Sequence, residues 1–208
     1  ERFPRAGLVC AEMSGFDDHG FFERYHLKTY HRSAYRDPSV TYDRVFTSSM
    51  PLAQAVGVPA GLQADDASVA ARRVYLGNVF DTYLLKLVLC QNSVMLRREV
   101  VAAAGERNVR VRHWQEVDYL LTITRRHEVC FADVPTYKLR YHQGQVSTTA
   151  GPDGTPVWMR KQQILLRVVK RHALADRDYY ERHRKPIDRH LAHLHRAVAV
   201  PMLLSRDS

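Results

Sequence analysis

The order in which helix-like and strand-like runs follow one another constrains this chain most, and it is clearest between Gln115 and His142. "QEVDYLLTIT" carries Val117, Leu120, Leu121 and Thr124 on one stripe at helical spacing, whereas "EVCFADV" and "TYKLRYH" read as two strands, the first rich in apolar residues and the second alternating. A helix that feeds directly into strands argues against a helical bundle. Upstream, "GLVCAEM" at residues 7–13 reads as a buried strand closed by the turn residues of "SGFDDHG", and "NSVMLRREVVAAAG" reads as a strand near 91–97 running into a short helix that Gly105 ends. The run "DASVAARRVYLGNVFDTYLLKL", with Val69, Val74, Val79 and Leu84 apolar, predicts helix interrupted at Gly77 and Asn78. Residues 19–66 have no clean period and predict an excursion with short helical pieces.

The Gly- and Pro-rich "TTAGPDGTP" divides a body, residues 1–150, from a basic helical extension, residues 151–208. The extension predicts two amphipathic helices, about 156–173 and 177–199, with Ile164, Leu165 and Val168 on the apolar face of the first and Ile187, Leu191, Leu194 and Val198 on that of the second. The expected class is α/β with C-terminal helices.

With 45% hydrophobic and 25% charged residues, the chain has the composition of a soluble globular protein. No apolar run approaches the roughly 20 residues that span a bilayer, and the N-terminus has neither a signal-peptide core nor an initiator methionine, so the chain reads as a piece of a longer one. Cys10, Cys90 and Cys130 lie far apart in apolar runs, which suits buried thiols in a reducing compartment. The expected location is cytoplasmic, with a peripheral membrane position as an open alternative. Thirty-one Lys and Arg against 22 Asp and Glu give a net charge of +9, which favours an anionic partner: a nucleic acid, a membrane surface or a nucleotide diphosphate. Charge alone does not choose among them, although the basic tail has few aromatic residues for base stacking, which makes nucleic acid the weaker choice.

Several residues stand out for their chemistry. Glu116 opens a helix, where the dipole keeps a carboxylate ionised; the bland reading of the same position is simple dipole complementation. Asp118 lies about 200 degrees of helical rotation away and takes a supporting role. Arg140 and His142 share one strand face, suited to phosphate oxygens and, for the imidazole, to a metal ion; the bland reading is a solvated polar face. Asp17, Asp18 and His19 form an acidic turn, Asp65 and Asp66 suit a helix cap, and His190, His193 and His195 punctuate a basic helix. For each of these three groups a structural role is the commoner outcome.

From about Pro4 to Ser147 the chain resembles the C-terminal half of a family 2 glycosyltransferase catalytic domain of the GT-A type. In that family an "EDYDLWLRIA"-like helix precedes a strand and then a "YRxHxxxxS"-like segment; "QEVDYLLTIT" lies on the first and "LRYHQGQVS" on the second, with Arg140, His142 and Ser147 in register. "NSVMLRREVV" is similar to the family's strand and Arg-Arg turn, and "PRAGLVCAEM" to the strand after its metal-binding loop. The chain departs from the pattern where "GERN" replaces Gly-Phe-Asp-Glu and where the acidic pair is Gln115-Glu116. The resemblance implies a partial GT-A-like unit and an inverting transfer, with Glu116 as base and Asp118 beside it. Arg140 and His142 would then meet the diphosphate of a nucleotide sugar, and His142 would contact a divalent cation, Mn or Mg. The acceptor would be a saccharide, a lipid-linked group or a protein. The family's nucleotide-binding half and its Asp-x-Asp motif are absent from this sequence, so the piece alone is expected to be inactive. The rival expectations are a non-catalytic basic α/β binding module and a degenerate transferase-like scaffold.

Overall fold

The computed structural model describes residues 3–56, 71–111, 113–142 and 157–204. The chain divides into two compact units: residues 1–106 with 122–141, and residues 107–121 with 142–208. The segment carrying Glu116 and Asp118 falls in the same unit as the C-terminal helices.

The first unit is a mixed α/β body. Its strands are β1 (Ala6–Asp17), β2 (Gly20–Glu23), β3 (Ser48–Pro51), β4 (Arg73–Gly77), β5 (Met95–Leu96) and β6 (Glu128–Arg140), joined in the order β2-β1-β6-β4-β3, with β5 on β1 as well. β1 is central: it runs parallel to β6, while β5 and β2 pair antiparallel with its beginning and its end. Almost every β1 residue up to Ser14 is buried, as a strand covered on both faces requires. Short helices α1 (Leu27–Tyr30), α2 (Arg32–Tyr35), α3 (Tyr42–Val45), α4 (Leu52–Val56), α5 (Phe80–Leu85) and α6 (Arg98–Ala104) fill the connections. Phe131 of β6 anchors an aromatic core, with ring centroids 4.7 Å from Tyr42 and 5.7 Å from Phe46. Aromatic groups at these separations add edge and offset attraction to their burial.

Two expectations are corrected by the structure and one is extended. Arg73–Gly77 is a strand, not helix, paired with both β3 and β6. The apolar positions 69, 74, 79 and 84 recur every five residues, which drifts about 140 degrees per step around a helix and cannot make one face. Gly77 is less a helix break than a close approach, because a Cβ there would lie 2.6 Å from the backbone nitrogen of Thr47. The excursion holds the short helices expected of it, α1 to α4, and strands β2 and β3 besides. Finally, the two strands expected at 128–142 are one strand of 13 residues. Pro135 sits in it at a register shift opposite Glu12, beyond the stretch that pairs with β4, where a missing N–H costs least.

The second unit is helical. α7 (Gln115–Thr124) begins in it, and α8 (Val157–Leu174) and α9 (Arg177–Leu204) form an antiparallel-type helix pair close to the predicted bounds. Val168, Val169 and Ala173 of α8 are buried, as are Tyr179, Ile187 and Leu194 of α9, on a stripe that returns every seven or eight residues. Ile164, Leu165 and Leu191 are half-buried. α9 leaves helical geometry at His183, three residues before Pro186, whose ring clashes with the preceding turn. Among the described residues no helix is long and apolar enough to cross a membrane.

Candidate functional site

The start of α7 is fixed from two directions within the helical unit. Trp114, the residue before it, has φ of 59°, which is unusual for a bulky side chain. Its carbonyl accepts the first helical bond, from the Asp118 N–H at 2.9 Å, and its indole N–H donates to the Lys161 carbonyl at 2.9 Å. Strain of this kind persists where surrounding contacts over-determine it. Asp118 is 2% exposed, and its carboxylate meets His172 Nε2 at 2.9 Å and the Arg171 guanidinium on the same oxygen. Glu116, in the same turn, is half-buried. Its carboxylate therefore opens a helix whose other face is tied down by the buried contact of Asp118 with His172.

Beside Asp118 lies a cleft of about 180 Å³, with Arg110, Arg167 and Arg171 on its rim and Ile164 and Val168 on an apolar wall. Glu116 is not part of its lining. The helical rotation between residues 116 and 118 accounts for the separation.

The end of β6 belongs to the sheet unit. Arg140 is exposed there and donates to Asp18 at 2.8 Å, so one residue of the acidic turn serves as its counterion. Next to it the Tyr141 hydroxyl lies 2.8 Å from His26 Nε2, and His26 Nδ1 lies 2.5 Å from Glu23, an arrangement of acid, imidazole and phenol at the base of the β1–β2 hairpin. Burial, with Tyr30 and Glu23 nearby, pushes the Tyr141 hydroxyl upward, which makes it a hydrogen-bond donor rather than an anion. Burial alone would raise the Glu23 carboxyl, but hydrogen bonds from His26 and Thr29 bring it below the usual range. His142 is exposed just past the strand.

The sequence reading missed His172, Arg171 and Trp114. His172 is 54 residues from Asp118, a separation that leaves no local signal. Asp65 and Asp66 fall outside the described residues, and so does Ser147. His190 is half-buried, whereas His193 and His195 are exposed. Among the described residues no group of three or more His, Cys, Asp or Glu is placed to hold a metal ion. The three thiols are buried, and burial raises each of them, Cys130 to about 11.

No family model, no curated protein and no solved structure matches the chain.

Proposed function

We propose that this chain is the acceptor-side part of an inverting, family 2-like glycosyltransferase, with Glu116 as general base. Glu116 takes the proton of an acceptor hydroxyl while that oxygen attacks the anomeric carbon of a nucleotide-diphospho-sugar. The bond from that carbon to the diphosphate breaks, and the leaving group departs with the electron pair. Arg140 and His142 are the proposed contacts of that diphosphate, and the Arg140 guanidinium would exchange Asp18 for phosphate oxygens. A cytoplasmic setting suits a nucleotide-sugar donor, and a saccharide, lipid-linked or protein acceptor fits the reading equally. In the intact protein His142 would contact the divalent cation, Mn or Mg, that the resemblance implies, and that charge would favour departure of the diphosphate.

The observation that supports the reading is the braced start of α7, where a half-buried carboxylate sits in the first turn while Asp118, His172 and Trp114 hold that turn still. A base gains from such fixation, since misplacement by an ångström costs rate heavily. In the natural full-length protein, supplied with nucleotide sugars, Glu116→Gln should lower turnover by about 10²- to 10⁴-fold while donor affinity stays near that of the wild type. Turnover at the wild-type rate would remove Glu116 from the mechanism.

A further inference from the structure

The helical unit carries a charge arrangement that its own residues do not balance. α8 contains Arg160, Lys161, Arg167, Lys170 and Arg171 and no carboxylate, and the loop before α7, residues 107–113, adds three arginines and again no acid. Arg167 and Arg171 are four residues apart on one helix, a spacing at which like charges repel. Arg110 joins them, and the three line the same cleft. Its one carboxylate is Asp118, already committed to Arg171 and His172. Among the described residues the guanidinium groups of Arg110 and Arg167 have no ion-pair partner, so the cleft presents uncompensated positive charge above an apolar wall.

We infer that this cleft is an oxyanion site for a phosphate or diphosphate group. Guanidinium groups donate through a planar fork that matches phosphate oxygens two at a time, and three of them around one concavity suit a multiply charged group better than a single carboxylate. One of the three is already positioned, because the Asp118 carboxylate holds Arg171 in place. Size narrows the ligand further. At about 180 Å³ the cleft is smaller than the roughly 300–1,000 Å³ of sites that enclose a drug-sized molecule, so it accepts the phosphate end of a ligand while the remainder stays outside. The phosphate can come from a soluble ester or from a lipid headgroup. The site stands whether or not Glu116 is a base.

The test titrates the full 208-residue chain with inorganic pyrophosphate by calorimetry at low ionic strength, and in parallel sediments it with phosphatidylcholine vesicles that contain phosphatidic acid. Arg110→Gln with Arg167→Gln should weaken binding of at least one probe by about 10-fold or more, the effect of losing charge-assisted contacts. Both residues are exposed, so the fold should survive, and an unchanged melting transition checks this. Arg177→Gln with Arg182→Gln removes the same two charges from exposed positions of α9 and should leave binding near the wild-type level. Loss with pyrophosphate identifies a soluble phosphate ligand, and loss confined to vesicles identifies a lipid headgroup. Equal weakening by both pairs of substitutions, no effect of the first pair, or no binding of either probe would overturn the site.

Discussion

Each unit of this molecule buries an acidic side chain, and the two do it by opposite means. In the sheet unit, Glu12 of β1 accepts from the backbone N–H groups of Met13 and Leu27 and from the Tyr42 hydroxyl, all neutral donors. Burial raises its carboxyl, and those hydrogen bonds only partly oppose the rise. In the helical unit, Asp118 meets the Arg171 guanidinium and the His172 imidazole. A carboxylate held by neutral donors works almost as well as an amide, whereas one held by a guanidinium is needed for its charge. The same sign of buried group thus serves as a hydrogen-bond brace in one region and as an electrostatic anchor in the other.

The largest effect should come from breaking the anchor. Asp118→Ala takes from the buried His172 ring and the half-exposed Arg171 guanidinium the acceptor they share and should cost about 3–4 kcal/mol of stability, two hydrogen bonds to a charged group at roughly 1.5–3 kcal/mol each, measured by chemical denaturation. A loss under about 1 kcal/mol would mean that the pair contributes little beyond what its neighbours replace.

Next comes a pH effect in the sheet unit. His31 is buried and lies 3.0 Å from the Leu89 carbonyl, and burial lowers its pKa from 6.5 to about 4. The folded state therefore binds this proton more weakly than the unfolded chain does. The contribution is fully present above the unfolded value of 6.5 and is lost as pH falls toward 4, by about 3 kcal/mol. Unfolding free energies of wild type and His31→Gln, compared from pH 7 to pH 4, should converge as the wild type loses that share. Parallel curves would contradict the assignment.

The neutral brace should hardly notice loss of its charge. Glu12→Gln keeps an oxygen for the two N–H groups and offers an N–H to Tyr42, so stability at pH 7 should stay within about 1 kcal/mol of wild type or rise. The raised carboxyl gives the sign: the wild-type contribution is greatest at low pH and falls as pH climbs through the folded value. A loss as large as that of Asp118→Ala would erase the contrast between the regions. Smallest of all, Cys10, Cys90 and Cys130 should resist alkylation at pH 8 until the protein unfolds, because burial raises all three thiols.

What the sequence disclosed follows from how far each determinant reaches along the chain. The long helices α8 and α9 were legible because Val168, Ile187 and Leu194 recur at helical spacing. β1 was legible because it is a nearly unbroken apolar run. β4 was misread because its identity depends on pairing with β3 and β6, more than 20 residues away on either side, and not on its own period. The candidate site divides in the same way. Glu116 and Asp118 are visible at a helix start, but the partners of Asp118 lie more than 50 residues downstream. Arg140 stood out as a cation on a strand face, while its counterion Asp18 lies 122 residues earlier. Local chemistry was readable, and long-range pairing was not.

On the proposed reading, one face of the α7 start does chemistry and the other holds the fold. Single-turnover transfer from a nucleotide sugar, measured in the full-length protein for wild type, Glu116→Gln and Asp118→Asn, tests it most directly. The predicted result is a rate lower by about 10²- to 10⁴-fold for Glu116→Gln with an unchanged melting temperature, and the reverse pattern for Asp118→Asn, a lower melting temperature with the rate per folded molecule kept within a few-fold of wild type. A wild-type rate in Glu116→Gln, with the loss falling on Asp118→Asn instead, would contradict it.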